Sequence, residues 1–231
     1  SNKKNSKKNN ELISRLDKKE NTFINPNYLN ARVQKIEGIY PSMNLGLKKA
    51  NGKSILFLNS GDIFNEKFSL KYLYQEIEKL NCENSFVFGI AKIIFSKKIF
   101  WDFPGKRVSN IKNWLYFFEP NHQAMLISRK LAKSIIFDEN CKVIADGIWK
   151  RKIIQKATSI SFIRKTIINF NLHGISNKKP KFKNALTQIF NKEVHYWKKI
   201  IIIIKLISPN IFYRIYPYFQ KYKSLFLDII F

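Results

Sequence analysis

Acidic side chains are scarce in this sequence: 16 Asp and Glu stand against 42 Lys and Arg in 231 residues, for a formal charge of +26. Such an imbalance points to nucleic acid or an anionic membrane surface as a partner. The lysines are spread along the whole chain among many Asn and Ile, however, and AT-rich codons encode those three residue types. Codon bias and an anionic partner therefore both stand as explanations of the charge. The basic residues form no recognition motif beside a groove-reading element, so nucleic acid is not expected. Cysteine is nearly absent. Cys82 and Cys141 are the two, too far apart for a ligand-type spacing, which excludes a disulfide framework or zinc cluster and fits a reducing compartment. Long apolar runs are missing as well: none approaches the ~18 residues that span a bilayer. Ser1 to Asn10 is polar, unlike the apolar core of a secretory leader. What the chain does have is a hydrophobic fraction of 45%, enough to fill a core, which excludes a disordered protein. The length suits one α/β domain with an appendage.

The pattern alternates helices and strands. A short helix is expected over Glu11 to Leu16 and a short strand at Phe23-Ile24. Gly38 to Ala50 reads as a helix with Pro41 in its first turn, ended by Asn51-Gly52 through a left-handed glycine cap. Ser54 to Leu58 reads as a buried strand that runs into the polar turn Asn59-Ser60-Gly61-Asp62. Leu70, Leu73, Ile77 and Leu80 share one face of a second helix. Ser85 to Ile90 and Ala91 to Phe95 read as strands, with Lys97-Lys98 as a hairpin tip leading to Ile99-Phe-Trp101. Trp114 to Phe118 reads as a short helix, Gln123 to Ser128 as a strand and Arg129 to Ser134 as a helix. Asp146 to Ile154 is a further helix, and Ile160 to Phe170 a strand pair. Residues 1–177 form the expected α/β domain.

Residues 178–231 differ in character. Trp197 to Ile207 is a short apolar run flanked by lysines, and Tyr213, Tyr216, Tyr218 and Tyr222 follow among Arg214, Lys221 and Lys223. Basic residues interleaved with aromatics suit a segment lying in a membrane interface. An ordinary packed helix whose lysines reach out to water is the alternative.

Asn59 to Asp62 could be only a polar turn after a core strand. It could also be a ligand site, since open α/β sheets bind at the carboxyl ends of their strands. Other blocks accompany it in order: Gly38-Ile-Tyr-Pro-Ser-Met-Asn-Leu-Gly46, Asn121-His-Gln-Ala-Met125, Ala145-Asp146 and Asn171-Leu-His-Gly-Ile-Ser176. In order and spacing the set resembles the family 2 glycosyltransferases with a GT-A fold, in the branch that builds bacterial surface polysaccharides. The resemblance covers roughly Ser6 to Asn177.

It implies a GT-A-like, Rossmann-like mixed sheet flanked by helices, and inverting transfer of a sugar from a nucleotide-sugar, expected to be a UDP-sugar. The implied acceptor is lipid-linked or a polysaccharide. The implied setting is the cytoplasmic face of the plasma membrane, with an anionic membrane surface as a partner. Asp62 would hold a divalent cation, Mn or Mg, that neutralises the departing diphosphate. Asp146 would be the base that deprotonates the acceptor hydroxyl, although Asp at a helix start is also a common cap. Gly38, Tyr40, Met43, Asn44, Asn59, Ser60, His122 and Gln123 would line the donor and acceptor pocket. His173 stands where these enzymes carry a second Gly, and as an imidazole it suits Mn²⁺. Pro41 replaces a usual Asp, and Lys8 stands where another Asp is expected. The strand-helix-strand unit that opens the family's fold is not found upstream of Asn5, so a truncated or inactive copy is expected. A peripheral membrane protein without enzymatic activity is the competing reading.

Overall fold

The computed structural model describes residues 38–59, 61–96, 99–140, 144–171, 182–190, 192, 196–207, 215–218 and 220–223. The elements expected at Glu11 to Leu16 and Phe23-Ile24, the Lys97-Lys98 tip, Ser60 and His173 lie outside them.

The longest uninterrupted apolar run becomes the centre of the sheet. Strand β3 (Ser85–Ile94) is buried along almost its whole length, as expected of a strand covered on both faces. Around it stand β1 (Ser54–Ile55), β2 (Ile63–Phe64), β4 (Phe100–Phe103), β5 (Met125–Ser128) and β6 (Ser159–Asn171). The six strands run in the order β1-β5-β3-β6-β2, with β4 beside the second half of β3. β3 and β6 are parallel and every other pair is antiparallel. This is the expected α/β class, a mixed sheet flanked by helices.

Side chains alternate across β3. Phe86 and Phe88 join one apolar cluster with Met43, Leu47, Trp114 and Trp149, under helices α1 (Ile39–Lys49), α3 (Ile111–Phe117), α4 (Arg129–Lys133) and α5 (Ala145–Lys156). Val87, Ala91 and Ile93 join the other with Leu73 and Ile77 of α2 (Ser69–Leu80) and Ile167 of β6. Gly89 falls at a register shift between β3 and β6. A Cβ there would sit 2.4 Å from Ile167 Cγ1 and 2.9 Å from the Lys165 carbonyl oxygen, so only glycine lets the two backbones come this close.

Several boundaries differ from the sequence reading, each for a local reason. β3 and β6 are each one continuous strand, where two segments were expected in each region, because the pair accommodates its irregularity as the shift at Gly89. α1 does not end in a left-handed glycine. Ala50 leaves the helix in an extended conformation, its N–H bonded to the Gly46 carbonyl. The left-handed cap is instead Asn81, after α2. Only Ser54 and Ile55 of the expected Ser54–Leu58 strand pair with a neighbour. α3 begins at Ile111 rather than Trp114, because the Asn110 side chain accepts the Asn113 N–H and caps it. The strand expected from Gln123 begins at Met125, after a 3-10 turn over His122–Ala124.

Beyond the sheet lie α6 (Phe182–Phe190) and α7 (Tyr196–Ile207). Ala185, Gln188 and Ile202 are buried, whereas Phe190, Ile203, Ile204 and Ile207 are exposed. The Lys223 ammonium lies 5.0 Å from the Phe118 ring centre, beside the end of α3. Among the described residues no helix is long and apolar enough to cross a membrane.

Candidate active site

Antiparallel pairing of β1 with β5 brings the chain leaving β1 next to the chain entering β5. Asn59 therefore meets the 3-10 turn that carries His122 and Gln123. Its backbone N–H donates to Gln123 Oε1 at 3.2 Å, and its side-chain Nδ2 lies 3.3 Å from His122 Nε2. The turn is itself held by Asn121, whose side-chain oxygen accepts the Gln123 N–H.

The first turn of α5 brings Asp146 to the other edge of the His122 ring. His122 Nδ1 is 3.7 Å from Asp146 Oδ2, and Lys150 Nζ is 3.8 Å from the same oxygen. The Tyr40 hydroxyl, from the first turn of α1, donates to Asp146 Oδ1 at 3.3 Å. Asp146 does not cap α5. Ile144 occupies the cap position without a side-chain bond, and Asp146 is the acidic residue of the first turn, where the helix dipole favours a negative charge. Its side chain keeps 30% exposure, so solvent reaches it. Burial and the adjacent Asp146 charge both push the Tyr40 phenol well above its ordinary value, so it stays a proton donor. Burial lowers the His122 pKa to about 4, with Asp146 opposing that shift and Lys150 reinforcing it. The imidazole is neutral at pH 7.

Asp62 occupies a different setting. Pairing of β2 with the end of β6 puts it beside Asn171. Its Oδ1 accepts the Asn171 backbone N–H at 2.9 Å, and Asn171 Nδ2 donates to the Gly61 carbonyl at 3.1 Å. Asp62 is only 6% exposed. Burial raises its pKa, opposed by the Asn171 N–H and by the neighbouring Gln123 amide. Gln123 is fully buried, and its Nε2 has no well-formed hydrogen-bond partner among the described residues.

Tyr40, Asn59, Asp62, His122, Gln123 and Asp146 thus form one connected chain of polar contacts. The other expected residues sit apart from it. Asn44, one turn further along α1, accepts the Phe137 N–H and donates to the Phe137 carbonyl and to Glu139, at 2.8–2.9 Å. Met43 is buried in the core, and Gly38 precedes the first residue of α1 with φ of 119°. One participant went unremarked in the sequence, Lys150, and Asn171 stood there only as the start of the block that holds His173. Lys150 was within reach of reasoning, since i and i+4 share a helix face. Among the described residues no group of three His, Cys, Asp or Glu side chains could hold a metal ion. One oxygen of Asp62 is committed to Asn171, and His173, the other expected metal ligand, lies outside the described residues.

A cavity of about 830 Å³ adjoins the site on the other face of α5, between α3 and α5. Ile111, Leu115, Ile148, Ile154 and Ile160 form its apolar wall, with Lys112 and Lys192 also lining it. Arg151 in the wall is already paired with Glu119 at 2.6 Å.

No protein-family model matches the chain, and no curated protein matches it. Among solved structures, that of S. aureus TarS residues 1–349 is 19% identical with a TM-score of 0.48, covering 74% of this chain and 51% of that one. Its complex with UDP gives 19% and 0.47 over the same shares. A longer TarS structure gives 20% and 0.44, covering 72% of this chain and 30% of that one. The chain thus spans about half the length of the first two. Likeness at this level leaves function to the chain's own residues.

Proposed function

We propose that the chain is a GT-A-type glycosyltransferase that moves a sugar from a nucleotide-sugar, a UDP-sugar, to a lipid-linked or polysaccharide acceptor with inversion. The observation that carries the reading is Asp146: a partly exposed carboxylate beside Tyr40, His122 and Lys150. Asp146 accepts the proton of the acceptor hydroxyl as that oxygen bonds to the anomeric carbon. The bond from that carbon to the diphosphate oxygen breaks with its electrons leaving on the nucleotide. A positioned base of this kind contributes about 10²–10⁴ in rate. The Lys150 ammonium lies beside Asp146 and offsets its charge.

The apolar cavity along α5 supports an acceptor with an aliphatic part, its lysines facing an anionic head. The exposed apolar residues of α7 support contact with an anionic membrane at the inner face of the plasma membrane. The test is isothermal titration of the full chain with UDP, with and without Mn²⁺. Binding is expected, and its absence under both conditions overturns the proposal. Binding that requires Mn²⁺ and disappears in Asp62→Ala would establish the cation with Asp62, and with His173, as its ligands.

A further inference from the structure

The imidazole of His122 has a different partner on each of its two nitrogens, and only one arrangement of its proton suits both. Nδ1 faces Asp146 Oδ2 at 3.7 Å. An ionised carboxylate can only accept a hydrogen bond, so a lone pair on Nδ1 would be repelled there. Nε2 faces the Asn59 carboxamide nitrogen at 3.3 Å, and that NH₂ group can only donate. We infer that Asn59 locks His122 in the tautomer that carries its proton on Nδ1, facing Asp146, and that both are positioning residues for that carboxylate.

Burial keeps the ring neutral, so a single proton must choose between the two nitrogens. The main chain of Asn59 is tethered beside the ring, because its N–H is bonded to the buried Gln123. The charged groups facing the ring are Asp146 and Lys150, both on α5, and Tyr40 of α1 lies on the far side of Asp146. At 3.7 Å the Nδ1–H is in electrostatic contact with Oδ2 rather than fully bonded, a separation that tightens in many sites once substrate binds.

Two consequences follow. The carboxylate is aligned by three side chains, Tyr40 on Oδ1 and His122 and the Lys150 ammonium on Oδ2. The only lone pair of His122 points at Asn59, so His122 has none to offer a substrate hydroxyl. Asp146 is therefore the base and His122 is not. The assignment of the base rests on the sugar-transfer reading, whereas the tautomer does not.

The tautomer is read directly by long-range ¹H–¹⁵N correlation NMR on the full chain labelled at histidine. His122→Gln assigns the signal among the three histidines. At pH 7 the His122 Nδ1 is expected to be proton-bearing and Nε2 pyridine-like, whereas an imidazole free in water favours the proton on Nε2. In Asn59→Asp the new carboxylate cannot donate, so Nε2 must also carry a proton. The ring then becomes an imidazolium, and its titration moves up by more than about one pH unit. A wild-type ring protonated on Nε2, or an Asn59→Asp ring with the wild-type pattern, overturns the inference. Should Asn59→Asp fail to fold, the wild-type spectrum decides by itself. No substrate enters the measurement, so a correct tautomer in a chain that transfers no sugar would overturn the enzymatic reading alone.

Discussion

Asp62 and Asp146 lie at opposite ends of one run of polar contacts, through Gln123, Asn59 and His122, yet they are built for different work. Asp62 is almost fully buried and bonded to the backbone of Asn171, which ties the turn after β1 to the end of β6. Asp146 is partly exposed, stands in the first turn of a helix and meets the side chains of Tyr40, His122 and Lys150. Burial with backbone bonding is how a carboxylate holds a fold together. Partial exposure among a phenol, an imidazole and an ammonium group is how one performs proton transfer. The residue that first attracts notice in the sequence, at the end of an apolar strand, is therefore the anchor of the pair.

The broadest way to break this comparison is Gly89→Ala, which damages the scaffold beneath both carboxylates. Its methyl group would overlap Ile167 and the Lys165 carbonyl, and urea denaturation should show a loss of about 3 kcal/mol. Asp62→Ala comes next. It leaves the Asn171 N–H without its acceptor, so unfolding should become easier by about 1–3 kcal/mol. An unchanged midpoint would remove the anchoring role. Tyr40→Phe sharpens the other side: it deletes one hydrogen bond to Asp146, worth about 1 kcal/mol. Sugar transfer should fall by less than about tenfold with the unfolding midpoint nearly constant.

The smallest effect is a pH dependence. The Asp62 pKa is raised in the folded chain above its ordinary value of 3.8. Between the unfolded and folded values the native state holds the proton more tightly, so the contribution of Asp62 is complete below about pH 3.8 and is lost as pH rises through the folded value. Denaturation midpoints of wild type minus Asp62→Asn should accordingly decline as the pH rises above about 3.8. A flat or rising difference would contradict the burial of Asp62.

Much of the scaffold was legible because its signals are local. The apolar run of β3, the spacing of Leu73 and Ile77 in α2 and the hairpin to β4 all follow from periodicity. The order of Tyr40, Asn59, His122 and Asp146 also stood in the sequence as separate blocks. Their joining did not, because it depends on strand register: Asp62 meets the N–H of a residue 109 positions away. For the same reason the continuity of β6 was hidden, since its second half looks like a separate strand until its long parallel partner is known. The boundary missed at Asn110 and the left-handed cap at Asn81 depend on single residues, which periodicity does not report.

The most direct test of the account is release of UDP from a panel of UDP-sugars by the full chain, wild type against Asp146→Asn, with unfolding midpoints measured in parallel. The account predicts turnover by the wild type, a fall of about 10²–10⁴ in the variant and matched midpoints. Equal turnover in the two proteins, or none from the wild type with any donor, would contradict it.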